Sequence, residues 1–332
     1  MRAVVLTAPN TPLQYVANHP EPDVGDGDVL DVTACGVCHS DIHVVDGDFG
    51  KEPPIVLGHE VTGVHPELGP VMLYAPWGCG SCSECAQGLE MICANSIEAG
   101  LFTDGGYAER LRIPSLDYLT PLGDLDPYDS APLACGGLTA YRATLQGIDR
   151  LRQLGSTGRV LVIGAGGLGQ YAIRYLRLLT EARVTALDLA ERKQRTAVEI
   201  GAHEATAWAE PGSTYDVVLD FIGAEETLRI AADHAARLGV VAVVGLAGGT
   251  IPFGFGSVPF ETSFVASVWG SRAQLDELLD LARREPSIVQ PVEVMPLARA
   301  DEAHQRLRSG DLKGRIVLDI AGNRHQQNQE TT

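Results

Sequence analysis

Apolar positions along this chain follow two rhythms. From about residue 159 onward, short apolar runs take turns with stretches of helical period. The run 160–163 is followed by Leu168, Ala172, Ile173, Leu176 and Leu179, spaced as one face of a helix. "RVTALD" (183–188), "DVVLDFIG" (216–223), "VVAVVGL" (240–246) and "FVASVWG" (264–270) read as further strands, with helical patterns at 191–200, 225–238 and 272–284. Strand and helix in alternation predict an α/β unit with a parallel, doubly wound sheet. Nearer the start, residues 2–7 and "VLDVTA" (29–34) read as short strands. No apolar run reaches the roughly 18 residues that a membrane span needs. A chain of 332 residues is expected to divide into two domains.

Composition narrows the partners. The chain is 45% hydrophobic and 20% charged, ordinary for a globular enzyme, but its formal charge is −18 and its pI is near 4.8. Such a field repels phosphodiester backbones, which argues against a nucleic-acid partner. The opening "MRAVVLTAPN" lacks a basic-then-apolar leader, so a cytoplasmic protein with reduced thiols is expected. The polar stretch 322–332 is expected to fray.

Seven cysteines in reducing conditions favour metals over disulfides. Four of them, Cys79, Cys82, Cys85 and Cys93, fall within "GCGSCSECAQGLEMIC" with two, two and seven residues between them. Short C-x-x-C steps turn thiolates toward one point, and four sulfurs make a closed tetrahedral zinc site of the structural kind. An iron–sulfur cluster is the competing reading, since such clusters use similar runs. Elsewhere, Cys38 in "ACGVCHSDIHVV", His59 in "VLGHE" and Cys135 in "APLACGGLTAY" make a Cys2His set. That set suits a catalytic zinc with a fourth position left for substrate. Cys35 has no such partners and reads as structural.

"RVLVIGAGGLGQYAIRYLRLL" places Gly164, Gly166 and Gly169 as G-x-G-x-x-G between a strand and a helix. Glycines there permit a tight turn and let a pyrophosphate approach the helix N-terminus. Asp188 ends the next strand, placed to accept the adenosine ribose hydroxyls and to repel a 2′-phosphate. NAD is therefore expected over NADP, an argument that Arg192 and Lys193 soften without reversing.

"GVCHSD", "GHE", the four-cysteine lobe, "CGGLTAY" and the glycine motif occur in an order that resembles the zinc-dependent alcohol dehydrogenases of the medium-chain dehydrogenase/reductase family. Through "YAPWGCG" and "SVWGS" the chain is most similar to the bacterial NAD-dependent secondary alcohol dehydrogenases. The resemblance implies a Rossmann domain at 137–270. It also implies a partly open, GroES-like β-barrel catalytic domain at 1–136 and 271–332, with the zinc lobe at 78–94 and the active site in the cleft. It implies two zinc ions and NAD, and a homo-oligomer, dimer or tetramer, paired near "SFVASVWG".

The resemblance also implies roles. Cys38, His59 and Cys135 would hold the catalytic zinc, with Glu60 behind it and Asp41 orienting His59. Ser40 would take the alcohol proton and His43 would be the outer member of the relay. A solvated strand end is the rival reading for Asp41 and His43. His39 and Arg315 would meet the cofactor pyrophosphate, Lys193 the ribose and Thr139 the nicotinamide. Phe49, Val268 and Trp269 would wall the substrate pocket, although Trp269 packing at a subunit contact is the alternative. Many primary-alcohol enzymes of the family carry threonine where this chain has Ser40, so secondary alcohols and their ketones are the expected substrates. Two departures stand out: 61–77 is short and lacks a "VGDRV"-like stretch, and 201–216 is too short for a further helix. Rival functions are an NADH-dependent reductase of a specialised carbonyl or imine, and a zinc-ribbon binding module with a ligand-sensing Rossmann half.

Overall fold

The computed structural model describes residues 1–324 apart from 311 and 313, so most of the polar tail lies outside the described residues. The chain forms two compact units, one of residues 137–270 and one of residues 1–136 with the described part of 271–332.

In the 137–270 unit six parallel strands lie in the spatial order Glu204–Thr206, Arg183–Leu187, Arg159–Ile163, Tyr215–Asp220, Ala235–Val243, Ser263–Ala266. Numbered along the chain, that is the order 3-2-1-4-5-6, in which a doubly wound sheet reverses direction beside its first strand. Strands covered on both faces are continuously apolar, and Val160 to Ile163 are all buried. Helix Gly167–Leu179 turns Ala172, Ile173 and Leu176 inward, the stripe its periodicity predicts. Leu161, Ile163, Leu187, Val218 and Val241 meet in one core cluster.

Three element boundaries differ from the sequence reading. The helix expected over 225–238 ends at His234, and Ala235 already begins a strand paired with Tyr215. Ladder pairing outweighs the alanines' helical preference there, and Leu238 at φ 62° followed by Gly239 cannot continue a helix. The strand expected at 240–246 therefore starts earlier and stops at Val243. The strand expected at 264–270 shortens to Ser263–Ala266, because Trp269 takes a left-handed φ of 46° and Ser271 caps the next helix. The short 201–216 segment holds the edge strand Glu204–Thr206 and no helix.

The other unit is built on a curved sheet in the order Leu119–Pro121, Gly69–Leu73, Glu60–His65, Asp28–Gly36, Arg315–Asp319, Val292–Pro296. Strand Asp28–Gly36 pairs Arg110–Ile113 along its first half and Glu60–His65 along its second, with a register shift between Val32 and Ala34. A bulge of this kind bends a strand. The short 61–77 segment still makes a hairpin, Glu60–His65 against Gly69–Leu73, whose return strand starts at Gly69 with φ 72°. Pairing of Gly36 with Glu60 brings the chain just after one strand beside the start of the other. That juxtaposition creates the site.

Candidate active site and its metal centres

Cys38 follows strand Asp28–Gly36 and is the N-cap of helix His39–Asp46. Asp41, in the first turn, accepts the Cys38 amide at 2.9 Å, so the ligand's backbone is fixed by the helix it starts. His59 immediately precedes Glu60–His65, and Cys135 joins the 3-10 turn Ala131–Ala134 to helix Gly136–Gln146. These turns bring Cys38, His59, Glu60 and Cys135 together, all buried, with one ligand atom from each within 4.8 Å of the others. Burial of two thiols and a carboxyl at one point is unfavourable once they ionise, and a divalent cation at their centre turns that repulsion into attraction. The hydrogen bond from Cys135 and the charge of His59 hold the Cys38 thiol well below its ordinary range. The donor set fits zinc.

The groups around the ligands are equally specific. Asp41 Oδ1 lies 3.2 Å from His59 Nδ1, which leaves His59 Nε2 for a metal. Asp41 sits in a helix and is fully buried, so the solvated strand end suggested for it is incorrect; a helix N-terminus with a buried carboxylate stands there instead. Its Oδ2 also accepts the Tyr107 hydroxyl at 3.0 Å.

Glu60 accepts Arg315 Nη2 at 2.7 Å on each oxygen and the Gly136 amide at 3.1 Å. Burial pushes the Glu60 carboxyl up to about 7 against the pull of Arg315. Gly36 is glycine for a local reason, since a Cβ there would overlap the Glu60 carboxyl. Arg315, expected at the pyrophosphate, donates through Nη2 to Glu60 and to the Val37 carbonyl.

Ser40 Oγ lies 3.8 Å from the Cys38 sulfur. His43 is half-buried, stacks on Phe49 with centroids 5.8 Å apart, and meets Asp48 through Nδ1 at 2.7 Å. His39 is exposed on the same helix. Sequence reasoning missed Asp48 and Tyr107. Asp48 is five residues from His43, not a helix-face spacing, and returns only because Gly47 ends the helix at φ 81°. Tyr107 lies 66 residues from Asp41, and nothing local marks it.

Cys79, Cys82, Cys85 and Cys93 form a second cluster with ligand atoms within 4.8 Å. Backbone amides of Cys79 and Asn95 point at the Cys93 sulfur, and that of Cys85 at the Cys82 sulfur, each at 3.4 Å. Amides aimed at sulfur stabilise thiolates, as a closed zinc knuckle requires. Gly78 is forced by the cluster, because a Cβ would come within 2.5 Å of the Cys85 sulfur.

In the 137–270 unit, Gly164 has φ 89° and a Cβ on Gly169 would strike the Gly164 carbonyl, so packing accounts for both. Gly166 differs: a Cβ there would meet nothing within 4 Å. The chain itself does not demand a glycine at that point, and the space suits a pyrophosphate at the N-terminus of helix Gly167–Leu179. Asp188 accepts the amides of Ala165 and Ala190 at 2.9 and 3.0 Å and has Lys193 at 3.9 Å. Two such bonds fill half of a carboxylate's acceptor capacity and leave the rest for ribose hydroxyls. Thr139 is buried on helix Gly136–Gln146, Trp269 is buried and Val268 exposed. Phe49 belongs to the other unit.

Known proteins resemble this chain over most of its length. Residues 25–124 match the alcohol dehydrogenase GroES-like domain and residues 167–284 the zinc-binding dehydrogenase family. An alcohol dehydrogenase of Geobacillus stearothermophilus is 32% identical, over 96% of this chain and all of its own length. An NAD-dependent alcohol dehydrogenase of Sulfolobus acidocaldarius is also 32% identical over the same shares. Among solved structures, the alcohol dehydrogenase of Aeropyrum pernix superposes with a TM-score of 0.85 at 30% identity, covering 96% of this chain and 100% of that one. Acetophenone reductase from Geotrichum candidum, solved in complex with NAD, gives 0.82 at 27% identity and 96% of both chains.

Proposed function

Because this chain belongs to the zinc-containing medium-chain alcohol dehydrogenases, we propose that it oxidises alcohols with NAD and reduces the matching carbonyls, with secondary alcohols and ketones preferred. The observation that carries the reading is the buried Cys38–His59–Cys135 cluster with a serine hydroxyl 3.8 Å from one of its sulfurs. Bound there, zinc supplies a Lewis acid that acidifies an alcohol hydroxyl, and NAD supplies the hydride acceptor.

The chain's own residues do the rest. Asp41 fixes the His59 tautomer and the Cys38 backbone together. Ser40 takes the substrate proton, and His43, oriented by Asp48, releases it toward solvent. Arg315 holds Glu60 behind the cluster and is the proposed contact to the dinucleotide pyrophosphate. Gly166 admits the dinucleotide pyrophosphate, Asp188 binds the adenosine ribose with Lys193 beside it, and Thr139 backs the nicotinamide. His39 is the proposed second contact to the pyrophosphate.

Substrate preference follows from Ser40. A threonine methyl would crowd the second substituent of a secondary carbinol, and one methyl in a tight pocket changes discrimination by about 1–3 kcal/mol. The acetophenone reductase among the structural relatives supports ketone-sized substrates. Phe49, Val268 and Trp269 are the proposed apolar walls. We place the protein in the cytoplasm, where its seven cysteines stay out of disulfides, and no helix among the described residues is long and apolar enough to cross a membrane. A homodimer, or a tetramer made of two dimers, would cover the outermost strand Ser263–Ala266 and the exposed Phe253 and Phe255 near it. The test is kcat/KM for matched primary and secondary alcohols in wild type and Ser40→Thr. A preference for secondary alcohols that falls in the variant supports the reading; a primary-alcohol preference, or an unchanged ratio, refutes it.

A further inference from the structure

Behind the catalytic cluster lies a buried polar file that the reaction does not use directly. The Tyr107 hydroxyl donates to Asp41 Oδ2 at 3.0 Å, and His304 Nε2 lies 3.1 Å from the same hydroxyl oxygen. Tyr107 and Asp41 are fully buried and His304 is 4% exposed, so water cannot substitute for a missing partner. Burial pushes the Tyr107 phenol well up and the His304 imidazole down, so both are neutral near pH 7.

Proton counting then sets the direction. A phenol carries one proton, and Tyr107 gives it to Asp41. Its oxygen can therefore only accept from His304, which must be the Nε2–H tautomer. The file runs from His304 to Tyr107 to Asp41, and Asp41 in turn faces His59 Nδ1 and the Cys38 amide. The helix carrying His304, Ala300–Ser309, also grips the far end of helix His39–Asp46, where Arg308 pairs with Asp46. One helix thus bears on both ends of helix His39–Asp46, through Tyr107 at its first turn and through Arg308 at its last.

We infer that His304 and Tyr107 are positioning residues that set the geometry and basicity of the catalytic zinc site through Asp41. The inference rests on reading Cys38, His59 and Cys135 as that site. Each donor in the file disperses charge from the Asp41 carboxylate. Removing one leaves Asp41 freer to move and pulling harder on the His59 Nδ1 proton, which alters the field His59 presents to the metal. A merely structural role would cost stability and leave that field unchanged.

The test uses His304→Phe, Tyr107→Phe and His304→Gln, the last returning an N–H near the place of Nε2. Three readouts apply: the visible bands of the cobalt-substituted enzyme, the rate of zinc loss to a chelator, and thermal melting as a check on folding. Both phenylalanine variants should shift the cobalt bands and lose zinc about 10-fold faster, the usual scale for groups that orient metal ligands. His304→Gln should restore both. Unmoved bands and release rates in folded phenylalanine variants would overturn the inference, as would a His304→Phe change that glutamine does not reverse. Should Tyr107→Phe fail to fold, the His304 pair decides alone. Wild-type protein without metal at these ligands would instead overturn the reading of the site, and this inference with it.

Discussion

Glu60 and Arg315 illustrate how much a single buried contact can weigh. Their side chains are 0% and 6% exposed, so the exposed-pair value of under about 1 kcal/mol does not apply. Burial already holds the Glu60 carboxyl up at about 7, so without Arg315 it takes a proton and is left as an underpaired buried polar group, at a cost of about 1–3 kcal/mol. Arg315→Met should lower unfolding free energy in urea by that amount, and adding Glu60→Gln should recover most of it. A loss below 1 kcal/mol in the single variant would mean the pair is solvated in solution. Asp188 makes a different kind of prediction, because its carboxylate serves both the chain and the proposed ribose. Asp188→Gly should erode the preference for NAD over NADP by about 1–3 kcal/mol, the scale of an unpaired buried polar group. An unchanged cofactor ratio would place ribose recognition elsewhere.

At the scale of elements, the cysteine lobe depends on its metal. It holds only the four-residue helix Ser83–Ala86 and the three-residue 3-10 turn Glu90–Ile92, and three of its four cysteines are not buried. So little apolar burial cannot order sixteen residues, and metal coordination must replace it. Cys82→Ala should therefore release one of two zinc ions and lower the melting temperature, whereas Cys38→Ala should release the other and abolish turnover with the fold kept. Metal analysis with thermal melting checks both, and a Cys82→Ala protein that melts like wild type would contradict the structural role. A milder case is Ser271, whose hydroxyl accepts the Gln274 amide at 3.2 Å while Gln274 returns a bond to the Ser271 amide at 3.0 Å. Ser271→Ala should cost about 1 kcal/mol in urea unfolding, as loss of a reciprocal helix cap does. Elements with strong periodicity were legible beforehand, Arg272–Arg284 to the residue, because local pattern and tertiary packing agree there. Ala235–Leu238 was misread because an alanine-rich run has helical preference, and only pairing with Tyr215–Asp220 tells otherwise.

For the whole molecule, what the sequence revealed depended on whether chemistry sits in compact motifs. Four cysteines within sixteen residues and three glycines within six announce their partners by spacing. Tyr107 reaches Asp41 across 66 positions in sequence and His304 reaches Tyr107 across 197, and only the folded chain brings them there. Arg315 was legible as a residue of interest, yet its bidentate contact with Glu60 was not, since that contact depends on strand Arg315–Asp319 pairing Asp28–Gly36. The charge of −18 has its own consequence: like-charged copies repel, so self-association must be driven by apolar surface. Light scattering should then give a mass at least twice 35.3 kDa that persists in high salt, and a monomer would contradict the proposed pairing. The most direct measurement is the appearance of NADH absorbance when zinc-loaded protein is mixed with NAD and a secondary alcohol, beside the same mixture with Cys38→Ala. Steady NADH formation by wild type and none by the variant is the predicted result; no NADH from the wild type, or equal rates from both, would contradict it.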